Sequence, residues 1–203
     1  MIKRLLAAAL TVCLFSCSKT TDCPSYPGDL LEWLPYGTDE KITFRSGQQE
    51  QTFIFSDVFS TKRFTTGRTE ACNCDAFAHT NSSVDSVGNI QMLCSSEKKK
   101  VRFEFIYEFQ HYGKHSSYYV PLNIDRFMFS IKNDGTVEGT NSIDAASRDS
   151  VMIDNKLFNN VIVVEIDTIV DTKAEIFRLY LVKGRGVAKY EYKSGKAFTL
   201  TDL

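Results

Sequence analysis

From Lys41 onward, most of the chain alternates apolar and polar residues with a period of two, which predicts β-strands. Ile42 and Phe44 have polar neighbours on both sides, and Gly47 interrupts the pattern before the next alternating segment. Val101 to Phe109 is the clearest case, because its aromatic and charged residues fall on opposite faces of a strand. This alternation is typical of strands that have one face in a core and the other in water.

The remaining strands are predicted from the same alternation or from short apolar runs. Val161 to Ile166 is apolar except at Glu165, which predicts a strand near the middle of a sheet with both faces buried. Gly139 to Ser150 is polar and is predicted to be a loop. The other predicted strands are residues 53–59, 64–80, 89–95, 118–131, 176–182, 187–192 and 197–200.

Short glycine-containing segments separate several of these strands. Asn133-Asp134-Gly135 is typical of a hairpin turn. Gly184-Arg185-Gly186 and Ser194-Gly195-Lys196 connect the last three predicted strands as an antiparallel meander. Phosphate binding by the Gly184 segment is disfavoured, because a strand rather than a helix is predicted to follow it.

Helical periodicity is confined to one short segment near the N-terminal side of the first strand. Asp29 to Leu34 predicts one or two helical turns, which Pro35 ends. The chain is therefore predicted to be all-β, an antiparallel β-sandwich or open barrel with a short N-terminal helical turn. Trp33 and its leucine neighbours are expected to plug one end of the β core. The alternative is that Trp33 belongs to an exposed contact surface and stacks on carbohydrate.

The first residues follow a different pattern. Lys3 and Arg4 precede an apolar run from Leu5 to Phe15, and Ser16 then stands immediately before Cys17. A basic region, a short apolar region and a small residue are typical of a secretory signal peptide, and the run is too short to span a bilayer. One interpretation is an ordinary cleaved signal peptide with a soluble product. The other is a lipid anchor at Cys17.

Because a cysteine follows the cleavage position, Leu14 to Cys17 resembles a bacterial lipobox, which implies that Cys17 is the lipidated first residue of the mature chain. Several acyl chains such as palmitate, at about 0.8 kcal/mol per buried methylene, make attachment effectively permanent. Cys13 is a weaker alternative anchor, because Val12 is a poorer cleavage residue. The predicted organisation is a signal peptide (1–16), a lipidated cysteine and tether (17–28) and a single β domain (29–203).

The residue beside the anchor bears on the predicted location. Ser18 is not the acidic residue that, by the enterobacterial rule, holds a lipoprotein at the inner membrane. The chain is therefore predicted to lie in the cell envelope, anchored at the outer membrane, with the leaflet left open.

The charge balance argues against nucleic acid as a partner. The 203-residue chain has 24 basic and 25 acidic residues, and loss of Lys3 and Arg4 with the signal peptide would leave a formal net charge of −3. A nucleic-acid-binding domain of this size would carry a basic patch or stripe.

Six cysteines divide into two groups once a signal peptide is recognised. Cys13 would leave with the signal peptide and Cys17 would carry the lipid. Cys23, Cys72, Cys74 and Cys94 form an even set, as expected for disulfides in an oxidising compartment. A bond between Cys72 and Cys74 would be strained in an extended segment. Two arrangements stay open: 23–72 with 74–94, or 23–74 with 72–94.

The region around the two closely spaced histidines is the predicted contact surface. His111 and His115 stand among tyrosines, and a spacing of four residues aligns metal ligands only on a helix, which Gly113 disfavours. No metal or cofactor is therefore predicted. An exposed aromatic loop is expected, since tyrosine offers amphipathic contact area at low entropic cost. The contact residues are His111, Tyr112, His115, Tyr118 and Tyr119, with Trp33 as a further candidate.

The chain carries no catalytic signature, and no catalytic residue is predicted. A nucleophile-elbow serine would require Gly-x-Ser-x-Gly between a strand and a helix, which this sequence does not contain. Carboxylates are numerous, but paired acid and base roles require a cleft to bring two of them together. The acidic residues considered for that role are Asp144, Asp149, Asp154, Asp167 and Asp171.

Several segments of the mature chain together resemble small uncharacterised cell-envelope lipoproteins of Bacteroidota. The resemblance implies a lipid-anchored envelope protein with a β fold and brings no assigned activity. Here Leu181 and Val182 precede Lys183, where that group usually has an aromatic residue. The segments that carry the resemblance are Glu32–Tyr36, Ile42–Phe44, Cys72–Cys74, Leu157–Val161, Tyr180–Val187 and Gly195–Leu200.

Three functions are consistent with these patterns. The first is a non-catalytic, lipid-anchored envelope protein that binds or supports another envelope component, either a protein or a glycan. The second is a carrier of an apolar ligand or lipid, because fifteen phenylalanines could line a half-open barrel. The third is a glycan hydrolase that uses two of the carboxylates.

Overall fold

A computed structural model describes residues 30–60, 64–65, 72–73, 76–82, 87–88, 95–96, 102–115, 118–132, 134–140, 142–167 and 173–202. A 3₁₀ helix, Leu30–Trp33, comes first, as predicted. The strands that follow in chain order are β1 (Lys41–Ser46), β2 (Gln49–Ser60), β3 (Phe64–Thr65), β4 (Cys72–Asn73), β5 (Ala76–Ser82), β6 (Val87–Gly88), β7 (Ser95–Ser96), β8 (Arg102–His115), β9 (Tyr118–Lys132), β10 (Val137–Gly139), β11 (Ile143–Ile153), β12 (Lys156–Ile166), β13 (Ile176–Val182), β14 (Gly186–Tyr192) and β15 (Ala197–Leu200).

The described strands form three antiparallel sheets. The largest has eight strands in the order β11-β12-β13-β14-β15-β1-β2-β5, the second has the order β10-β9-β8-β6, and the third has the order β3-β4-β7. The first described strand, β1, pairs with the last, β15, so that Phe44 lies opposite Leu200. The all-β prediction is confirmed, and the large sheet is open rather than closed into a barrel.

One hydrophobic core lies between the eight-stranded and the four-stranded sheets, which makes the fold a β-sandwich. The rings of Phe109 on β8 and Tyr190 on β14 have centroids 5.3 Å apart, and Tyr190 also stacks on Phe198 of β15 at 5.4 Å. The predicted inward residues Ile42, Phe44, Phe127 and Phe129 are all buried here. The alternation read from the sequence therefore identified the inner faces of β1 and β9.

Asp125 joins the two sheets by polar contacts within this core. Its side chain is fully buried on β9, and its two carboxylate oxygens accept backbone N–H groups of Glu175 (3.0 Å) and Ile176 (2.8 Å) at the start of β13. A buried carboxylate needs such donors to offset the loss of its hydration.

Gly139 to Ser150, predicted as a loop, is largely strand β11, and that prediction is wrong. Ser147, Arg148, Asp149 and Ser150 are all exposed, so this strand shows no apolar alternation. β11 is the outermost strand of the eight-stranded sheet in the described part of the chain, which explains why both of its faces are polar there.

β12 was expected near the middle of a sheet, but it lies second from the end of the strand order. Its apolar residues are nevertheless buried on both faces. Ile162 and Val164 face the core between the sheets, whereas Val161 and Val163 belong to a second, smaller cluster on the outer face of the large sheet. The prediction that both faces of β12 are buried is therefore correct. The outer face is buried because the β11–β12 hairpin covers it, and not because β12 lies in the middle of the sheet.

Glu108 was expected on a wet face of its strand, and this expectation is wrong for that residue. Glu108 is only 8% exposed, although its neighbours Tyr107 and Phe109 point into the core on the opposite face. Its carboxylate is paired with the guanidinium of Arg126 on β9, directly opposite in the strand register.

Candidate functional site

The segment that follows the 3₁₀ helix closes one end of the sandwich. The carbonyl oxygen of Glu32 accepts the N–H of Gly184 at 2.8 Å, and the carbonyl oxygen of Trp33 accepts the hydroxyl of Tyr107 at 2.8 Å. Trp33 is 8% exposed and belongs to the core. It therefore plugs the end of the core and is not part of an exposed contact surface.

Tyr36 completes this closure. Its ring stacks on Phe55 with centroids 4.1 Å apart, and its hydroxyl accepts the backbone N–H of Val187 at 2.8 Å. Burial raises the pKa of Tyr36 well above its ordinary value, against the smaller opposing influence of the Val187 hydrogen bond. The phenol therefore stays neutral and acts as a structural hydrogen-bond acceptor.

The predicted aromatic loop at His111 to Tyr119 is strand at both ends, which corrects that expectation. β8 continues to His115 and β9 begins at Tyr118, so that His115 lies opposite Tyr118 and Lys114 opposite Tyr119. The contacts of the side chains at His111, Tyr112, His115, Tyr118 and Tyr119 lie outside what the structure describes. Their role as a contact surface stays a prediction.

The predicted anchor and most of the predicted disulfide residues lie outside the described residues. These are Cys17, Cys23, Cys74 and Cys94. For Cys72 the backbone is described in β4, where it lies opposite Thr65 of β3 and Ser96 of β7.

Asp144 and Asp167, two of the acidic residues named above as possible catalytic carboxylates, line one shallow groove together with Glu165. The groove lies at the end of β11 and β12. Asp144 lies directly opposite Glu165, and Asp167 follows β12, in a groove of about 400 Å³. Asp149 and Asp154 are exposed elsewhere on the β11–β12 hairpin, and Asp171 lies outside the described residues. Within the described part of the chain, no group of three His, Cys, Asp or Glu residues is arranged to hold a metal ion.

The outer face of the eight-stranded sheet, which points away from the core, carries a linked set of charges. Arg178 donates to Glu165 at 2.8 Å and to Glu191 at 2.9 Å, and Lys189 donates to Glu191 at 2.8 Å. Burial raises the pKa of Glu191, but the hydrogen bonds and positive charges of Lys189 and Arg178 outweigh it and hold the pKa below its ordinary value. Arg178 thus bridges two carboxylates of the outer face, Glu165 and Glu191.

The β11–β12 hairpin folds across this outer face. Its two-residue turn, Asp154-Asn155, has φ angles of 47° and 65°, as a type I′ turn requires. Phe158 and Ile162 would face the same side of a regular strand, yet they lie in different clusters. Between them Asn160 has a φ of 54°, which accounts for the change of face.

The folded hairpin covers a small apolar area of the sheet. Ile153 and Phe158 contact a cluster that includes Val182 of β13 and Ala188 of β14. Beyond these strands the tip of the hairpin reaches β15 and β1, where it forms one wall of a second groove. This groove has a volume of about 280 Å³ and is lined by Arg45, Gly47, Ile153, Asp154, Lys156, Thr199, Leu200 and Thr201.

The polar groups of this hairpin groove differ in how they are satisfied. Arg45 donates its Nε (2.9 Å) and one terminal nitrogen (2.6 Å) to Glu50, and its other terminal nitrogen has no hydrogen bond within the described structure. Thr199 is only 7% exposed, yet no hydrogen bond of its hydroxyl is found among the described residues. Buried hydroxyl groups normally have a hydrogen-bond partner. Thr199, at the floor of the groove, has none among the described residues.

Sequence reasoning did not find the hairpin groove. Its residues come from three segments, 45–47, 153–156 and 199–201, which lie far apart in the chain. Two of them meet because β1 pairs with β15, and the third arrives through the bend at Asn160. The one local signal was the Asp154-Asn155 pair, which is typical of a hairpin turn.

Comparison of the chain with models of protein families, with curated proteins and with solved structures gives no match. Among the described residues, no helix has the length and apolar character needed to cross a membrane.

Proposed function

We propose that this chain is a lipid-anchored envelope protein without catalytic activity, whose β-sandwich binds another component of the cell envelope. The basic and apolar residues before Ser16 and Cys17 support the anchor. The observation that carries the binding role is the β11–β12 hairpin folded across the outer face. It builds a groove lined by the buried Thr199, whose hydroxyl has no hydrogen-bond partner among the described residues. Core packing alone does not require such a groove.

The aromatic packing seen among the described core residues disfavours the apolar-ligand carrier. A carrier would keep aromatic side chains around a cavity, whereas these contact one another: Phe44 and Phe53 have ring centroids 5.6 Å apart, and Phe109 and Phe127 6.0 Å apart. The fully buried aromatic side chains are Phe44, Phe53, Phe55, Tyr107, Phe109, Phe127, Phe129, Tyr190 and Phe198.

The glycan hydrolase stays a third hypothesis with less support. Among the described residues, the best candidates for a catalytic pair of carboxylates are Asp144 and Glu165, which lie opposite each other on adjacent strands. The Glu165 carboxylate already accepts a 2.8 Å hydrogen bond from Arg178, which a substrate would have to displace. Hydrolysis of an envelope glycan that is abolished by Asp144→Asn would revive this hypothesis.

The anchor is tested by labelling cells with an alkyne-bearing fatty acid and detecting the label on the full chain. Cys17→Ser should abolish labelling and release the protein from the membrane fraction. Cys13→Ser is the matched control and should leave both labelling and membrane attachment unchanged. Loss of the label in Cys13→Ser instead, or labelling of neither cysteine, would overturn the proposed anchor.

The binding role is tested by placing a photo-crosslinking residue at Thr201, which lines the hairpin groove, in the full chain expressed in its native cells. A discrete adduct of reproducible mass is expected after irradiation. The same residue at Ser194, which is exposed in the turn between β14 and β15, is the control and should give no such adduct. Adducts of equal yield at both positions would contradict a specific site on the outer face.

A further inference from the structure

We infer that the hairpin groove binds an acidic sugar, a ring that carries both hydroxyl groups and a carboxylate. This inference rests on the proposed binding role and names the chemical class of the bound component. Its support comes from three properties of the groove: the cationic side chains of its walls, a buried hydroxyl with no partner among the described residues, and its size.

The walls of the groove carry two cationic side chains from different elements. Arg45 comes from β1 and Lys156 from the hairpin, and both line the same groove. Glu50 occupies two of the guanidinium N–H groups of Arg45 and leaves a terminal nitrogen able to donate. A guanidinium held on one side by a carboxylate is positioned to bind a second carboxylate with its remaining donors.

The floor supplies a hydroxyl that a ligand can satisfy. Thr199 is more than nine-tenths buried, lines the groove and has no hydrogen-bond partner among the described residues. Leaving a buried polar group unpaired destabilises a fold, so its presence at this position is best explained by a partner that binds there. A sugar hydroxyl suits it, because both groups donate and accept.

The remaining lining suits the rest of a sugar ring. Asp154 can accept hydrogen bonds from ring hydroxyls, and Thr201 can donate or accept. Ile153 and Leu200 add apolar surface for the carbon face of a ring. The volume of about 280 Å³ is near the lower end of small-molecule sites, which fits one sugar unit rather than a longer chain.

The test uses the full chain in detergent and a matched pair of probes, galacturonic acid and galactose, which differ at the carboxylate. Saturation-transfer NMR should show binding of galacturonic acid in the millimolar range, and galactose should bind about tenfold more weakly. Arg45→Met should remove this preference. Equal binding of the two sugars would overturn the acidic-sugar assignment, and so would binding of neither.

Two threonine substitutions separate binding from folding. Thr199→Val should weaken binding of galacturonic acid about fivefold while leaving the thermal midpoint unchanged or higher, because it removes an unpaired buried hydroxyl. Thr43→Val, on the same outer face, should lower the midpoint and leave binding unchanged, because Thr43 shares a 3.0 Å hydrogen bond with Thr52. A lower midpoint and unchanged binding in Thr199→Val would overturn the role of this hydroxyl.

The two proposals fail in different ways. A crosslinked partner at Thr201 in a protein that does not bind galacturonic acid would overturn the acidic-sugar inference and keep the proposed binding role. Binding of galacturonic acid by an unlipidated Cys17→Ser chain is expected, since the groove is far from the anchor in sequence. If Cys17 proves not to be acylated, the proposed lipid anchor is wrong, whereas the inference that the groove binds an acidic sugar is unaffected.

Discussion

The hydroxyl of Tyr36 accepts a 2.8 Å hydrogen bond from the backbone N–H of Val187, 151 positions further along the chain. The residue between this contact and the preceding turn is Gly186, which has a φ of +72°. A Cβ at Gly186 would lie 2.2 Å from the Tyr36 hydroxyl oxygen. The closure of the sandwich end therefore depends on Gly186, which the sequence places in a turn but whose close approach to Tyr36 no local pattern indicates.

Gly186→Ala is expected to lower the free energy of unfolding by more than about 2 kcal/mol, because it adds a left-handed backbone penalty to a clash with Tyr36. Gly184→Ala is the matched control: its φ is +77° and nothing lies within 4 Å of the added Cβ, so about 1 kcal/mol is expected. Urea denaturation followed by the fluorescence of Trp33 measures both. Equal losses in the two variants would show that Tyr36 moves away freely.

Tyr36→Phe should cost about 1–3 kcal/mol of unfolding free energy, because it leaves the buried N–H of Val187 without an acceptor. Tyr180→Phe removes a longer, 3.3 Å contact with Glu191 on the outer face and should cost less than about 1 kcal/mol. The same denaturation assay compares the two. A larger loss of unfolding free energy in Tyr180→Phe would show that the Tyr36–Val187 hydrogen bond contributes little to closing the end of the sandwich.

Asp125→Asn is expected to destabilise the fold by about 3 kcal/mol. Both of its carboxylate oxygens accept backbone N–H groups, at Glu175 and Ile176, and an amide can supply only one acceptor oxygen there. Asp144→Asn, on an exposed position of β11, should change stability by less than about 0.5 kcal/mol. Thermal and urea unfolding that show similar losses in both variants would refute the link between the two sheets.

The ion pairs of Glu191 should make stability depend on pH in the acid range. Because the pKa of Glu191 is held below its ordinary value of 4.5, its contribution is fully present above about pH 4.5 and is lost as the pH falls through the lowered pKa. Glu191→Gln should therefore be less stable than the natural chain at neutral pH, by about 1 kcal/mol or less since the group is partly exposed.

The Glu191 difference should disappear at strongly acidic pH and shrink in about 1 M salt, where exposed charges are screened. Unfolding free energies of both proteins, measured across this pH range, provide the comparison. A difference that stays constant from neutral to strongly acidic pH would mean that Glu191 acts through packing rather than charge.

Peptide mapping of the oxidised chain should recover a bond between Cys74 and Cys94, with Cys23 bonded to Cys72. Asn73 of β4 lies opposite Ser95 of β7, and Cys74 and Cys94 are the immediate neighbours of these two residues in the sequence. A Cys72–Cys94 peptide would instead support the other arrangement.

The sequence predicted the parts of the fold that depend on local alternation and turn chemistry. Phe127, Phe129 and Ile131 lie on the buried face as expected. Gly135 and Gly195 have φ angles of 82° and 83°, in turns that their neighbours had indicated. These features follow from a few consecutive residues, which is why one sequence suffices to predict them.

The missed features arise from contacts between distant segments. β11 reads as a loop because its exposed residues give no apolar period, and only its pairing with β12 makes it a strand. The hairpin groove depends on the bend at Asn160, and a single asparagine in an apolar segment does not predict a change of face. The burial of Glu108 likewise reflects surroundings that its own strand cannot show.

The pairing of the first described strand with the last also sets the order of assembly. β1 cannot pair with β15 until residues 197–200 have been synthesised. The hydroxyl of Tyr36 likewise has to wait for Val187, whose backbone N–H donates to it. Such distant pairings slow folding, because long stretches of chain must be brought together first. A nascent chain therefore cannot complete the β1–β15 pair until residue 200 has emerged, and the eight-stranded sheet stays incomplete during that interval.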